Sequence, residues 1–251
     1  MPEPDDPEQV LALLWRVEEV PTPAGRGPRR GLDVDAVVAA ATARADAAGP
    51  SGAEGLTMRA LAGDLGVAAM TLYTYVPNRD VLVDLMLDAA YAAMPRADTT
   101  GRDWRARVSA VADENRALHR AHPWTVRADP ARPTLGPGET AKYEHELAAL
   151  DDLAAAAGLD DVDRDAALTF LLDVVRSTAR AELESTTGDL TAWWAARGPA
   201  LARRLDPARF PRAVRVGQAA GEAAGGVRDP DRVWNFALAR VLDGLAALAT
   251  A

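Results

Sequence analysis

The sequence has no cysteine. That excludes disulfides, zinc–thiolate centres, iron–sulfur clusters and cysteine nucleophiles together. Histidine is almost as scarce, with only His119, His122 and His145. His119 and His122 are three apart and fall near one helix face, but no carboxylate cluster accompanies them. His122, directly before Pro123, reads as a helix-end residue. No metal site and no cofactor is therefore expected. There is also no glycine-rich phosphate loop and no histidine beside an obvious nucleophile, so no enzyme is expected. No apolar run reaches the length of a membrane span. The acidic, proline-bearing start from Met1 to Asp6 is unlike a basic signal peptide. A cytoplasmic protein without membrane attachment is the expectation.

An excess of positive charge is missing too. The formal charge is −9, which argues against a protein that coats nucleic acid through bulk electrostatics. A small DNA-reading module on an acidic body stays open, but the case for it must rest on local geometry. Aromatics make up only 5% of the chain and β-branched residues are sparse, whereas Ala, Leu, Arg and Asp dominate. That mixture favours helix over strand, and the expected fold class is all-α.

Along the chain, Pro7 to Val20 carries an apolar stripe of Val10, Leu11, Leu14, Trp15 and Val17 at helical spacing. It reads as an extra helix docked on the body, or as a partner-binding helix. Pro21 to Gly31 is too rich in Pro and Gly for regular structure and holds Arg26, Arg29 and Arg30. It is either a solvated linker or an arm that touches DNA beside a reading module. A helix over Asp33 to Ala48 follows, ended by Gly49. Thr57 then N-caps a helix over Met58 to Leu65. Gly66 stops it, a short helix runs from about Ala69 to Tyr75, and a longer one from about Asp80 to Met94. Downstream helices are expected at about Trp104 to Arg120, Glu139 to Ala157, Asp163 to Ser185, Leu190 to Leu205 and Asp231 to Ala249. Asp129 to Gly138 and Ala219 to Arg228 read as loops. This divides the chain into an extension (1–30), a helix-turn-helix domain (31–95) and a larger domain (96–251).

The stretch from Leu56 to Arg79 meets the packing demands of two helices crossing steeply across a tight turn. Counting from Met58, the positions that must be apolar hold Leu61, Leu65, Val67, Leu72 and Tyr75. The crossing point, which must be small, is Ala62, and the turn residue that must accept positive φ is Gly66. An ordinary helical hairpin could share that pattern. In a helix-turn-helix the second helix enters the major groove. Its outward positions here are Ala68, Ala69, Met70, Thr71, Tyr73 and Thr74, with Tyr75 at its end. Hydroxyls of Thr and Tyr can bind phosphates or base edges, and Thr, Ala and Met can contact thymine methyls. Arg59 can reach a guanine, and Arg79 is placed to bind phosphate.

The run Gly55 to Ala90, GLTMRALAGDLGVAAMTLYTYVPNRDVLVDLMLDAA, strongly resembles the N-terminal domain of TetR family repressors. Thr71, Leu72, Tyr73, Tyr75, Val76, Asn78, Arg79, Leu82 and Asp84 carry the most specific part of that match. The resemblance implies an all-helical homodimer on double-stranded, palindromic operator DNA, released by a small-molecule inducer held in the larger domain. That domain resembles the tetracycline-repressor type. The signals are Arg132-Pro133-Thr134 before the Tyr143 to Leu150 helix, Trp104 after the DNA domain, and the Gly158-Leu159 break. The tetracycline repressors hold drug-bound magnesium through a histidine shortly before the Arg-Pro pair. Here that stretch is Arg127-Ala128-Asp129-Pro130-Ala131, which speaks against both metal and tetracycline. The Arg-bearing extension is similar to regulators of antibiotic-producing actinobacteria, which implies a polyketide or other aromatic natural product.

An inducer pocket should be mostly apolar with a few polar anchors. The expected lining is Trp104, Val108, Val111, Asn115, Trp124, Arg132, Tyr143, Leu147, Phe170 and Val174. For each of them core packing is the competing role. The family's dimer bundle would use the Asp163 to Ser185 and Asp231 to Ala249 helices. Besides the ligand-responsive repressor, a helical protein-interaction module with a non-functional helix-turn-helix remains open.

Overall fold

The structure is a computed structural model that describes residues 6–16, 32–185, 188–224 and 229–249. The first expected helix ends at Leu14 rather than Val20, with Trp15 and Arg16 in a turn; its residues 17–20, and Arg26, Arg29 and Arg30, lie outside the described residues. Among those residues there are twelve α-helices and no strand. None of these helices is long and apolar enough to cross a membrane.

The first helix, α1 (Pro7–Leu14), is started by the Asp6 carboxylate, which accepts from the Glu8 backbone N–H. It docks on the body through Leu14, which is fully buried, and the Trp15 indole donates to the Leu135 carbonyl at 3.0 Å. Of the two readings of this segment, the docked helix is the one observed.

The next four helices share one core. Asp33 caps α2 (Val34–Ala47) through the Ala36 N–H. Thr57 caps α3 (Met58–Leu65), a device worth about 1 kcal/mol. Gly66 closes α3 in the left-handed region at φ 67°, where any side chain would be strained. The helix α4 (Ala69–Leu72) is shorter than expected. Beyond it the chain continues as tight turns, with Thr74, Tyr75 and Val76 N–H groups bonded back to Thr71 and Leu72 carbonyls. Asn78 caps α5 (Arg79–Ala93). Leu61, Ala62 and Leu72 are buried as the spacing requires, and Leu65, Val67 and Tyr75 pack partly against them.

A second core joins α6 (Trp104–Ala121), α8 (Asp151–Ala157), α9 (Asp161–Ser185) and α12 (Pro230–Leu248) through Val108, Val111, Leu153, Leu168, Leu171, Val241 and Leu245. Arg116 ties three of these helices together: it binds Glu182 of α9 at 3.0 Å and Asp231 of α12 at 2.7 Å, and stacks on Trp234. Between the cores lies α7 (Pro137–Ala148), packed lengthwise along α5.

Two expectations need correction. The single helix expected over Glu139 to Ala157 is two, α7 and α8. Arg164 caps the Leu147 carbonyl at 2.6 Å, and Asp151 and Asp152 open α8, where negative charge favours a helix N-terminus. The loop expected from Ala219 to Arg228 is helical through Ala224. That segment belongs to α11 (Pro211–Ala224), which follows α10 (Gly188–Ala202); residues 225–228 lie outside the described set. Alanine's high propensity outweighs the scattered glycines there.

Candidate functional site

The outer face of the α3–α4 pair is built by subtraction. Leu61 and Leu72 turn inward, so what remains outside is Ala68, Met70, Tyr73 and Thr74, all exposed, with Ala69 and Thr71 half-buried. Met70 is 74% exposed and Tyr73 44% exposed, although both are large and apolar in part. Such side chains left in water mark a surface built for contact. Arg59 is exposed beside them and has no hydrogen bond or ion pair among the described residues. The Thr74 hydroxyl donates to the Thr71 carbonyl at 2.7 Å. Tyr75 packs its ring on the core.

Arg79 has a different situation from Arg59. Its guanidinium donates to the Ala53 carbonyl at 2.5 Å and the Leu56 carbonyl at 3.1 Å, and pairs with Asp80. It thereby fixes the chain that leads into α3. Arg29 and Arg30 lie outside the described residues.

A cavity of about 510 Å³ opens between α5, the 128–135 loop, α7 and α9. Leu87, Tyr91, Leu135, Leu168 and Leu172 give it apolar walls. Its polar floor is a buried trio. Lys142 donates to Glu146 at 2.8 Å, and Asn115 donates to Glu146 at 2.5 Å. The Lys142 ammonium also sits 5.2 Å from the centre of the Tyr91 ring. Burial pushes the Tyr91 hydroxyl up from its ordinary value. At the mouth, Tyr143 donates to Asp165 at 2.8 Å, and that bond raises the Tyr143 pKa. Arg132 reaches Asp84 of α5 at 3.0 Å.

Behind the cavity His119 is held well below the ordinary imidazole value, at about 3, by burial and by the charges of Arg176 and Lys142. The Thr125 hydroxyl donates to the His122 carbonyl at 2.7 Å, so it can only accept from His119 Nδ1 at 2.8 Å. His119 is therefore the neutral, Nδ1-protonated tautomer. Among the described residues no three His, Asp or Glu side chains converge to hold a metal.

Of the lining read from the sequence, Arg132 and Tyr143 border the cavity, and Asn115 stands behind it through Glu146. Val108 and Val111 belong to the second core, with Trp104, Leu147 and Val174 against it. Phe170 is 52% exposed on the outer side of α9. Trp124 sits in the first core, its indole N–H on Asp46. Sequence reasoning missed Tyr91, Lys142, Glu146 and Arg176. Charged residues at helical spacing read as a solvated face, and only the tertiary packing turns these inward.

The outer face and the cavity share a helix. Leu87 and Tyr91 on α5 border the cavity, while Val81, Leu82 and Leu85 of the same helix pack in the core under α3 and α4. Asp88, between them, is buried and accepts the Glu139 backbone N–H of α7 at 2.9 Å. Burial raises its pKa.

Comparison with known proteins agrees with this architecture. Residues 97–249 match the family described as tetracyclin repressor-like, C-terminal domain. The chain is 37% identical to the HTH-type transcriptional repressor DrrR1 of Streptomyces coeruleorubidus, over 97% of this chain and 87% of that protein. It is 34% identical to an HTH-type transcriptional regulator of Saccharopolyspora erythraea, over 60% of this chain and 61% of that one. The structure is similar to ActR of Streptomyces coelicolor in complex with actinorhodin, with a TM-score of 0.71 and 25% identity, covering 87% of this chain and 99% of that one. With a helix-turn-helix at one end of α5 and a walled cavity at the other, the chain belongs to the TetR family of transcriptional regulators.

Proposed function

We propose that the protein is a repressor that binds a palindromic operator as a homodimer and leaves it when a small, largely apolar or aromatic molecule enters the α5–α7–α9 cavity. The carrying observation is that α5 is wall to the cavity and floor to the helix-turn-helix at once. A ligand that favours one position of α7 would bias α5, and so the two second helices against a groove spacing of about 34 Å. Arg59, Ala69, Met70, Thr71, Tyr73 and Thr74 would face the DNA, with Arg29 and Arg30 on the arm. The division into extension, DNA-binding domain and effector domain at 30/31 and 95/96 is part of this reading. Such a protein acts by binding rather than catalysis, and works in the cytoplasm where the DNA is.

The dimer reading is supported by what one copy leaves uncovered. Phe170 and Val162 of α9 and Phe236 of α12 are 52%, 76% and 65% exposed. A two-fold interface across α9 and α12 would bury them and match operator symmetry. ActR is described with actinorhodin bound, which supports an aromatic effector for this chain.

Gel shift on the DNA flanking the gene, over a salt series, tests the proposal. Retardation that weakens steeply with salt, and that Tyr73→Ala reduces, is expected. A chain that shifts no DNA at low salt would instead be an interaction module.

A further inference from the structure

Among the described residues four arginines bury their Nε without a hydrogen-bond partner: Arg16, Arg107, Arg164 and Arg176. Three of them are neutralised at another nitrogen, by Asp35, Asp152 and Asp151 respectively. Arg176 is not. Among the described residues it has neither hydrogen bond nor ion pair, and it borders the cavity.

The other charges of the cavity are engaged by a side chain, except Asp129, which accepts the Ala131 N–H, and Asp173. Lys142 is matched by Glu146, and Arg132 by Asp84. Asp165 accepts from Tyr143, and Glu139 accepts from the Thr134 hydroxyl and the Leu135 N–H, each at 3.0 Å. Asp173 lies one turn before Arg176 on α9, but it is exposed and makes no ion pair with it. Arg176 is half-buried with its Nε closed off from water, and a charge partly drawn out of water with no partner is destabilising. Arginine is also the side chain whose planar fork suits a carboxylate best. Leu168 and Leu172, on the same helix, and Tyr91, on α5, line the cavity with Arg176.

The geometry points to an anionic effector: a ring system with a carboxylate, its rings against Leu168, Leu172 and Tyr91 and its acid on Arg176. This rests on the cavity being the effector site. It goes further by naming the charge of the ligand and the residue that reads it.

Three anthracenes of nearly equal shape test it with the full-length chain: the 9-carboxylate, the neutral 9-methanol and the cationic 9-aminomethyl compound. Dissociation constants come from their fluorescence at pH 7.5. The carboxylate is expected to bind at least tenfold more tightly than the methanol, and the amine most weakly. In Arg176→Met the carboxylate should lose about tenfold, with the methanol within about threefold of its original value; Arg176→Lys should recover part of the loss. Equal binding of all three, preference for the amine, or a carboxylate preference that survives Arg176→Met overturns the inference while leaving the effector site intact. The parent series decides even if a variant does not fold. If none of the three binds a folded, operator-binding chain, both this inference and the effector-site reading fall.

Discussion

Trp124 and Asp46 stand 78 positions apart, yet the indole N–H of Trp124 donates to Asp46 Oδ1 at 2.8 Å. His122 Nδ1 meets the same carboxylate at 3.0 Å. One acceptor at the end of α2 thus holds the turn that follows α6, and with it joins the DNA-reading half to the effector half. Because Trp124 is buried, Asp46→Ala strands its N–H. A loss of about 1–3 kcal/mol is expected in urea unfolding. Asp46→Asn keeps an oxygen for the indole and should lose less. An unchanged midpoint for Asp46→Ala would show that the contact carries no weight.

The α5–α7 contact predicts a pair of glycine effects with opposite rescue. A Cβ on Gly136 would fall 2.2 Å from the Asp88 carboxylate, whereas one on Gly138 would fall 2.1 Å from the Asp88 backbone oxygen. Either alanine should cost about 1–3 kcal/mol through overpacking. In an Asp88→Ala background the carboxylate is gone, so Gly136→Ala should become much milder while Gly138→Ala stays as damaging. A double-mutant cycle on thermal unfolding reads this directly. Equal rescue of both would refute the geometry.

Acid stability should carry the mark of His119. The native protein refuses its proton down to about pH 3, while the unfolded chain takes it near 6.5. Stability from this group is therefore whole above about pH 6.5 and declines as pH falls from there toward 3, by up to about 1.4 kcal/mol per unit. Asp88, with its raised pKa, works in the opposite direction, so the comparison must be between the parent and His119→Gln. The parent-minus-variant stability should shrink on acidification. A difference that is flat between pH 7 and 4 would exclude a buried neutral imidazole.

Two arginines near the DNA face should behave unlike each other. Arg59→Ala leaves stability unchanged, because the side chain is exposed and unbound. It should lower the slope of operator affinity against salt by about 1 if Arg59 meets a phosphate, or relax base preference if it meets a guanine. Arg79→Ala should cost about 1.5–3 kcal/mol of stability, because two carbonyls lose a charged donor. Unfolding curves measured beside the salt series separate the two. An Arg79→Ala chain as stable as the parent would mean its carbonyl contacts are idle.

The reading module was legible in the sequence because its constraints are local. Ala62, Gly66 and Leu72 lie within one short stretch, and each position admits few residue types. The bounds of α3 agree to the residue, and α5 begins within one residue of the expected Asp80. The cavity was legible only at Arg132 and Tyr143. Lys142 and Glu146 form an i,i+4 pair that on most helices faces water. Their burial depends on Asn115, which is 31 residues from Glu146. The role of Asp46 was hidden for the same reason, since its partners come from another part of the chain. The break between α7 and α8 depends on Arg164, a cap delivered from the next helix.

Where Gly138 meets the Asp88 backbone oxygen there is no side chain between the main chains of α7 and α5. Side-chain layers give: their rotamers hop, and a push on one side is absorbed before it reaches the other. Main chain lying on main chain has no such slack, so a shift of α7 must carry α5 with it or open the joint. The residues of α7 that line the cavity, Lys142, Tyr143 and Glu146, lie further along the helix than Gly138 at its first turn. Receptor and gearing are thus separate parts of one rod. The wall can be recut for a different molecule while the joint between α7 and α5 is left as it is.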